Sequence, residues 1–158
     1  MARGITKYKK REIKPDLKYN DVRVAKFINY VMIGGKKNTA EKITYDALEK
    51  IKEETKKDPV QVLEQAIKNA SPFLEVKPIR IGGATYQVPY EVLPNRQFTM
   101  GAKWIIDAAF KKQGKSMSEF LKEEIIDAYN NQGTAVKKKL ELHRLAESNK
   151  AFAHYARF

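Results

Sequence analysis

The 158-residue chain carries 31 Lys and Arg against 19 Asp and Glu, for a formal charge of +12 and a sequence pI near 9.7, and it has no cysteine. This composition excludes disulfides and thiolate metal sites, and the basic excess favours a polyanionic partner: RNA, DNA or an anionic membrane. The length predicts a single domain, 1–158, able to bury roughly 70% of its unfolded surface.

The chain opens with a basic arm, 1–19. Residues 1–20 hold seven cations, including Lys7, Lys9, Lys10 and Arg11, against Glu12 and Asp16. No apolar stretch follows these charges, so the arm does not read as a secretory signal, and no later run approaches the ~20 residues of a membrane span. The expected location is the cytosol. A first helix is predicted over about Asp21 to Ile33, capped by Asn20 or Asp21, with Val24, Phe27, Ile28 and Val31 on one face and Gly34-Gly35 as its stop. A second should begin at Asn38, with Glu41 at capping-box spacing, and bury Ile43, Ala47, Leu48 and Ile51. The third opens with Asp58 as cap and Pro59 at the first helical position, and carries Val62, Leu63, Ala66 and Ile67.

A β-hairpin, 74–93, is then predicted around Gly82-Gly83, which meets a two-residue turn's need for positive φ without steric cost. Pairing Ile81 with Ala84 and Lys77 with Val88 leaves Pro78 and Pro89 at positions where a missing N–H costs the ladder nothing. Ile81, Ile79, Tyr86 and Val88 share one side, and Arg80, Thr85, Gln87 and Pro78 the other. A lone ribbon is marginal in water and is expected to reach for a partner. A fourth helix, about Arg96 to Lys112, sets Phe98, Ala102, Ile105 and Ala109 opposite Arg96, Lys103 and Lys111. The fifth starts at Ser116 with Glu119 as a capping box, turns Phe120, Leu121, Ile125 and Ala128 inward, leaves Glu123, Glu124 and Asp127 to solvent, and stops at Gly133. The sixth begins near Thr134 and is basic on several sides, so no single core face can be assigned. The tail, 150–158, is aromatic and without an evident partner.

Catalytic and metal chemistry have little to stand on. His143 and His154, eleven residues apart with no cysteine, make a poor ligand set, and acids at spacing four on the fifth helix are commonly just solvated. Gly34-Gly35-Lys36-Lys37 matches neither a Walker nor a dinucleotide loop; it reads equally as a helix stop with a solvated turn or as a phosphate contact. Trp104 reads as core edge or as a stacking platform. Lys137-Lys138-Lys139, sharing a helix with Arg144 and Lys150, favours phosphate contact, and the lack of a wide apolar face there argues against a membrane helix. The expectation is a nucleic-acid binder with no enzymatic activity, cofactor or metal. An architectural DNA protein gripping a groove with its hairpin arm is the alternative to an RNA binder.

Several strings together resemble one family: Ala25-Lys26-Phe27-Ile28-Asn29 with Gly35-Lys36-Lys37, Gly82-Gly83-Ala84-Thr85-Tyr86-Gln87-Val88-Pro89, Lys103-Trp104-Ile105, Gly133-Thr134-Ala135-Val136-Lys137-Lys138, and Asn149-Lys150-Ala151-Phe152-Ala153-His154-Tyr155. The chain resembles, over nearly its whole length, the bacterial type of small-subunit ribosomal protein seven. That resemblance implies a mainly α domain of about six helices, with a β-hairpin protruding between helices three and four. It implies a structural role in which the protein binds the three-prime major domain of small-subunit rRNA and starts head assembly. The RNA-binding surface it implies maps onto Lys7, Lys9, Lys10, Arg11, Lys36, Lys37, Arg80, Tyr86, Arg96, Lys103, Lys137, Lys138, His143, Arg144 and Lys150. It also implies a ribbon tip, at Arg80, Gly82 and Gly83, near exit-site tRNA and the mRNA path, and neighbours that include small-subunit proteins eleven and nine. Members often carry consecutive basic residues where this chain has Ile79-Arg80 and Arg96-Gln97, so one cation stands at each place. No further tRNA or mRNA contact is expected from a longer C-terminal extension.

Overall fold

The computed structural model describes residues 12–157, so Lys7, Lys9, Lys10 and Arg11 lie outside the described residues. Among the described residues, six α-helices, a two-stranded antiparallel hairpin between the third and fourth, and a 3-10 helix follow in order. Helix α1 spans Val22–Val31, and its N-terminus is closed by the Asp21 carboxylate, which accepts from the N–H groups of Arg23 and Val24. Gly34 and Gly35, at φ +60° and +75°, turn the chain into α2, Lys37–Thr55. That turn presents the Lys36 carbonyl to Ala40 N–H at 3.2 Å. The helix therefore starts one residue before Asn38, and the expected capping box is absent. Helix α3, Pro59–Ala70, begins as expected, with Asp58 accepting from Val60 N–H.

Helix α4 is Pro94–Phe110, two residues earlier than expected, because Pro94 itself takes the first helical position, where its missing N–H costs nothing. Helix α5 is Met117–Tyr129, and Ser116 makes no side-chain cap. The Glu119 carboxylate is drawn instead to Lys50 of α2, 3.4 Å away. Asn131, at φ +57°, ends α5 with a Schellman bond from Gln132 N–H to Asp127 carbonyl at 2.8 Å. Gly133 is thus the first residue of α6, Gly133–Ser148, and not the stop of α5.

Helix α5 is the hub, packing against α2, α3, α4 and α6, and the core gathers around Phe27, Leu48, Ile51, Leu63, Ile105, Leu121 and Ile125. Helices α3 and α4 cross closely at Gly101, where an added Cβ would lie 2.7 Å from the Ile67 carbonyl oxygen. Trp104 is half-buried against this core, which favours the core-edge reading.

Strands β1, Leu74–Ile81, and β2, Ala84–Glu91, pair in the expected register, Ile81 with Ala84 through Lys77 with Val88. Gly82 and Gly83 both have positive φ, at +57° and +89°. The side chains sort as predicted: Val88 is fully buried, Tyr86 and Ile79 are half-buried, and Arg80, Thr85, Gln87 and Pro78 are exposed. The expectations of a ribbon lacking support and a tail lacking a partner are both corrected, since the 3-10 helix Lys150–Arg157 packs along β2. In a 3-10 helix residues three apart eclipse, so Phe152 and Tyr155 fall on one stripe. Both rings meet Tyr86, at centroid distances of 5.1 and 5.5 Å.

Candidate nucleic-acid interface

Charge on this molecule divides by whether it is already answered. On the flank built from α2, α5 and the α4–α5 turn, several lysines meet carboxylates: Lys18, ahead of α1, with Glu49 of α2, Lys50 with Glu119 at 3.4 Å, and Lys122 with Glu54 at 2.7 Å. Lys112 bridges Glu124 at 2.8 Å and Glu123 at 3.3 Å, and Lys115 holds Glu123 at 2.7 Å. Glu124 is buried, which corrects the expectation that it is solvated. Burial alone would lower the Lys112 pKa, but its bonds to Glu124 and Glu123 raise it above the ordinary lysine value.

On the other flank, α4 packs against α1 and α6, and α6 against β1. Lys103 of α4 and Lys111 just past its end, Lys137, Lys138 and Arg144 of α6, Lys150 of the tail helix and Arg80 of the ribbon have no carboxylate within salt-bridge distance among the described residues. All but the half-buried Lys138 are exposed. Lys26, quoted in the sequence motif but not singled out as a site residue, lies over the Phe98 ring at 6.0 Å, at the α1–α4 seam. The signal that could have found it is its place on the helix side away from Val24, Phe27 and Ile28.

The other predicted site residues stand in more specific surroundings. Lys36 and Lys37 open α2 beside the Gly34-Gly35 turn, and Lys37 reaches Glu41 at 3.6 Å. Arg96, in the first turn of α4, donates through Nε to Glu75 at 2.7 Å, so its charge is partly answered. Tyr86 is engaged by the tail rings. Gly82 and Gly83 form the exposed ribbon tip. His143 is half-buried, and its Nε2 accepts the Phe73 N–H at 3.0 Å. Burial, and then the charge of Lys139, hold its pKa below the ordinary imidazole value, so it presents a neutral acceptor inward. Lys139 of the triple-lysine run also points inward. It donates to the Asn69 carbonyl near the end of α3 at 2.8 Å and lies over the Phe73 ring at 5.3 Å.

Between α6, the ribbon base and the tail helix lies a groove of about 570 Å³, lined by Leu74, Tyr90, Glu91, Ala146 and Glu147 among others. Among the described residues no His, Cys, Asp or Glu cluster could hold a metal ion, and no helix is long and apolar enough to cross a membrane. The arrangement suits a large polyanion laid across α4, α6 and the ribbon.

Comparison with known proteins agrees in detail. The family described as Ribosomal protein S7p/S5e matches residues 2–150. The chain is 57% identical to small ribosomal subunit protein uS7 of Thermotoga petrophila over 145 residues, 92% of this chain and 94% of that protein. It is 57% identical over 146 residues to the protein of the same name from Thermotoga maritima, with the same coverage. With uS7 of Chloroflexus aggregans it shares 52% identity over 155 residues, 98% of each chain. The role that follows from such a family is structural and lies in the cytoplasmic ribosome, in contact with rRNA and ribosomal proteins. With its helical body, its ribbon and its flank of unanswered cations, the chain belongs to the bacterial type of the small-subunit ribosomal protein S7p/S5e family.

Proposed function

We propose that the α4–α6–ribbon flank binds the three-prime major domain of small-subunit rRNA and thereby nucleates assembly of the subunit head. The observation that carries this reading is the division of charge: Lys50, Lys112 and Lys122 on the α2–α5 flank are held by carboxylates, while Lys103 of α4, Lys137, Lys138 and Arg144 of α6 and Arg80 of the ribbon have none within salt-bridge distance among the described residues and can release counterions from phosphate. Lys103, Lys137, Lys138, Arg144 and Lys150 supply most of the affinity, joined by Lys36, Lys37 and the arm cations Lys7, Lys9, Lys10 and Arg11. Folded RNA is recognised by shape, since side chains cannot read the narrow major groove of an A-form helix. Arg80, Gly82 and Gly83 at the tip stand near exit-site tRNA and the mRNA path. The C-terminal region lies toward small-subunit protein eleven, with protein nine as a further neighbour.

In-cell crosslinking with sequencing of the bound RNA tests the reading. It should return rRNA fragments concentrated in the three-prime major domain, whereas messenger or genomic fragments without rRNA enrichment would overturn it. A competition between duplex DNA and a junction RNA from that domain, at one salt concentration, should favour the RNA.

A further inference from the structure

The ribbon base holds one group that the binding surface does not use. Glu75 lies on the packed side of β1, facing Tyr90 across the ladder, and is only 6% exposed. Its two oxygens face opposite neighbours: one accepts from Lys77 Nζ at 2.9 Å, on the ribbon itself, and the other from Arg96 Nε at 2.7 Å, in the first turn of α4. Burying a carboxylate is costly, and an apolar residue of similar size would serve stability as well or better. On a flank meant for a polyanion, an acid between two cations also lowers the local positive charge. Both costs make sense if the carboxylate sets a direction.

We propose that Glu75 is a positioning residue for RNA recognition: it ties the base of the ribbon to the start of α4 and so fixes the angle at which the ribbon meets RNA. The idea rests on the RNA-binding reading above. It makes the Arg96 guanidinium the strut and Glu75 the anchor: the pair adds a direct bond between β1 and the start of α4 to the bracing that α6 gives both elements. Preorganisation of this kind raises affinity by removing an ordering cost from the binding step.

The chain has no cysteine, so spin labels can be placed cleanly at Thr85→Cys on the ribbon and Lys42→Cys on α2, both exposed. In RNA-free protein the distance distribution between them should be narrow, and should broaden in Glu75→Gln and in Arg96→Gln. The second variant, at an exposed position, keeps the test available if the first fails to fold. Binding is measured in parallel to a junction RNA from the three-prime major domain and to an unrelated RNA duplex. Glu75→Gln adds one unit of positive charge, so charge alone predicts tighter binding to both. Positioning instead predicts junction binding weakened about tenfold while duplex binding holds or tightens. A distribution that stays narrow in both variants overturns the proposal whatever the RNA does, and so does junction binding that tightens together with duplex binding. The unsubstituted protein checks the underlying reading separately, through its preference for junction over duplex.

Discussion

Lys50, Lys112 and Lys122 beside α2 and α5 and Lys103, Lys137 and Lys138 on α4 and α6 look alike in sequence but are in different electrostatic states. Lys50, Lys112 and Lys122 each have a carboxylate within 3.4 Å, whereas Lys103, Lys137 and Lys138 have none within salt-bridge distance among the described residues. A basic residue marks an RNA-binding surface only when nothing in its own chain has already answered its charge. Removing a lysine should therefore cost stability on one flank and RNA affinity on the other.

The sharpest way to break this comparison is Lys112→Ala. It leaves the buried Glu124 without its cation, and breaking such a pair costs about 3 kcal/mol. Thermal unfolding should show that loss, while the salt dependence of RNA binding by the folded fraction stays as before. Next comes the tail. Phe152→Ala with Tyr155→Ala removes both rings from Tyr86, at about 1 kcal/mol for each aromatic contact. The loss should be local, with faster hydrogen exchange in β1 and β2 and unchanged protection in α5. Uniform change across the molecule would mean that ribbon and body unfold as one unit. A smaller effect is expected for Lys139→Ala, which loses one hydrogen bond to the end of α3, worth about 1 kcal/mol. Melting temperature should fall with little change in the salt slope, unlike its neighbours Lys137 and Lys138.

The smallest effect concerns pH. His143 is neutral in the fold and its pKa is depressed, so the unfolded chain takes up a proton first as pH falls. The stability it supplies is complete above its ordinary value near 6.5 and is lost as pH falls through that value toward the lower folded one. Protonated Nε2 can no longer accept the Phe73 N–H. Phe73 amide exchange, corrected for intrinsic rate, should therefore rise as pH falls below about 6.5, and this rise should vanish in His143→Gln.

The parts of the fold written locally were legible in the sequence. The ribbon register followed from where a turn can have positive φ and where two prolines can sit, and α3 announced itself with a capping aspartate and an N1 proline. Two capping boxes failed because the residues meant to form them had other uses: Asn38 fell inside the first turn of α2, and Glu119 turned to Lys50. The inward face of α6 was hidden because its stripe runs through Ala135, Lys139, His143 and Ala146, half of it polar residues that would ordinarily be placed outside. The tail's docking depends on a 3-10 period and on contacts with a strand almost seventy residues earlier, neither of which a local pattern encodes. Charge pairing was hidden for the same reason, since Lys50–Glu119 and Lys122–Glu54 join residues 69 and 68 positions apart.

The most direct measurement is the slope of log affinity against log salt for a junction RNA, compared between Lys137→Ala/Lys138→Ala and Lys50→Ala/Lys122→Ala. The first pair should lower the slope by nearly one unit for each lost phosphate contact and weaken binding on the order of thirtyfold near 0.1 M salt, while the second leaves both unchanged. Equal changes in the two double variants would contradict the division of charge on which the assignment of the RNA-binding flank rests.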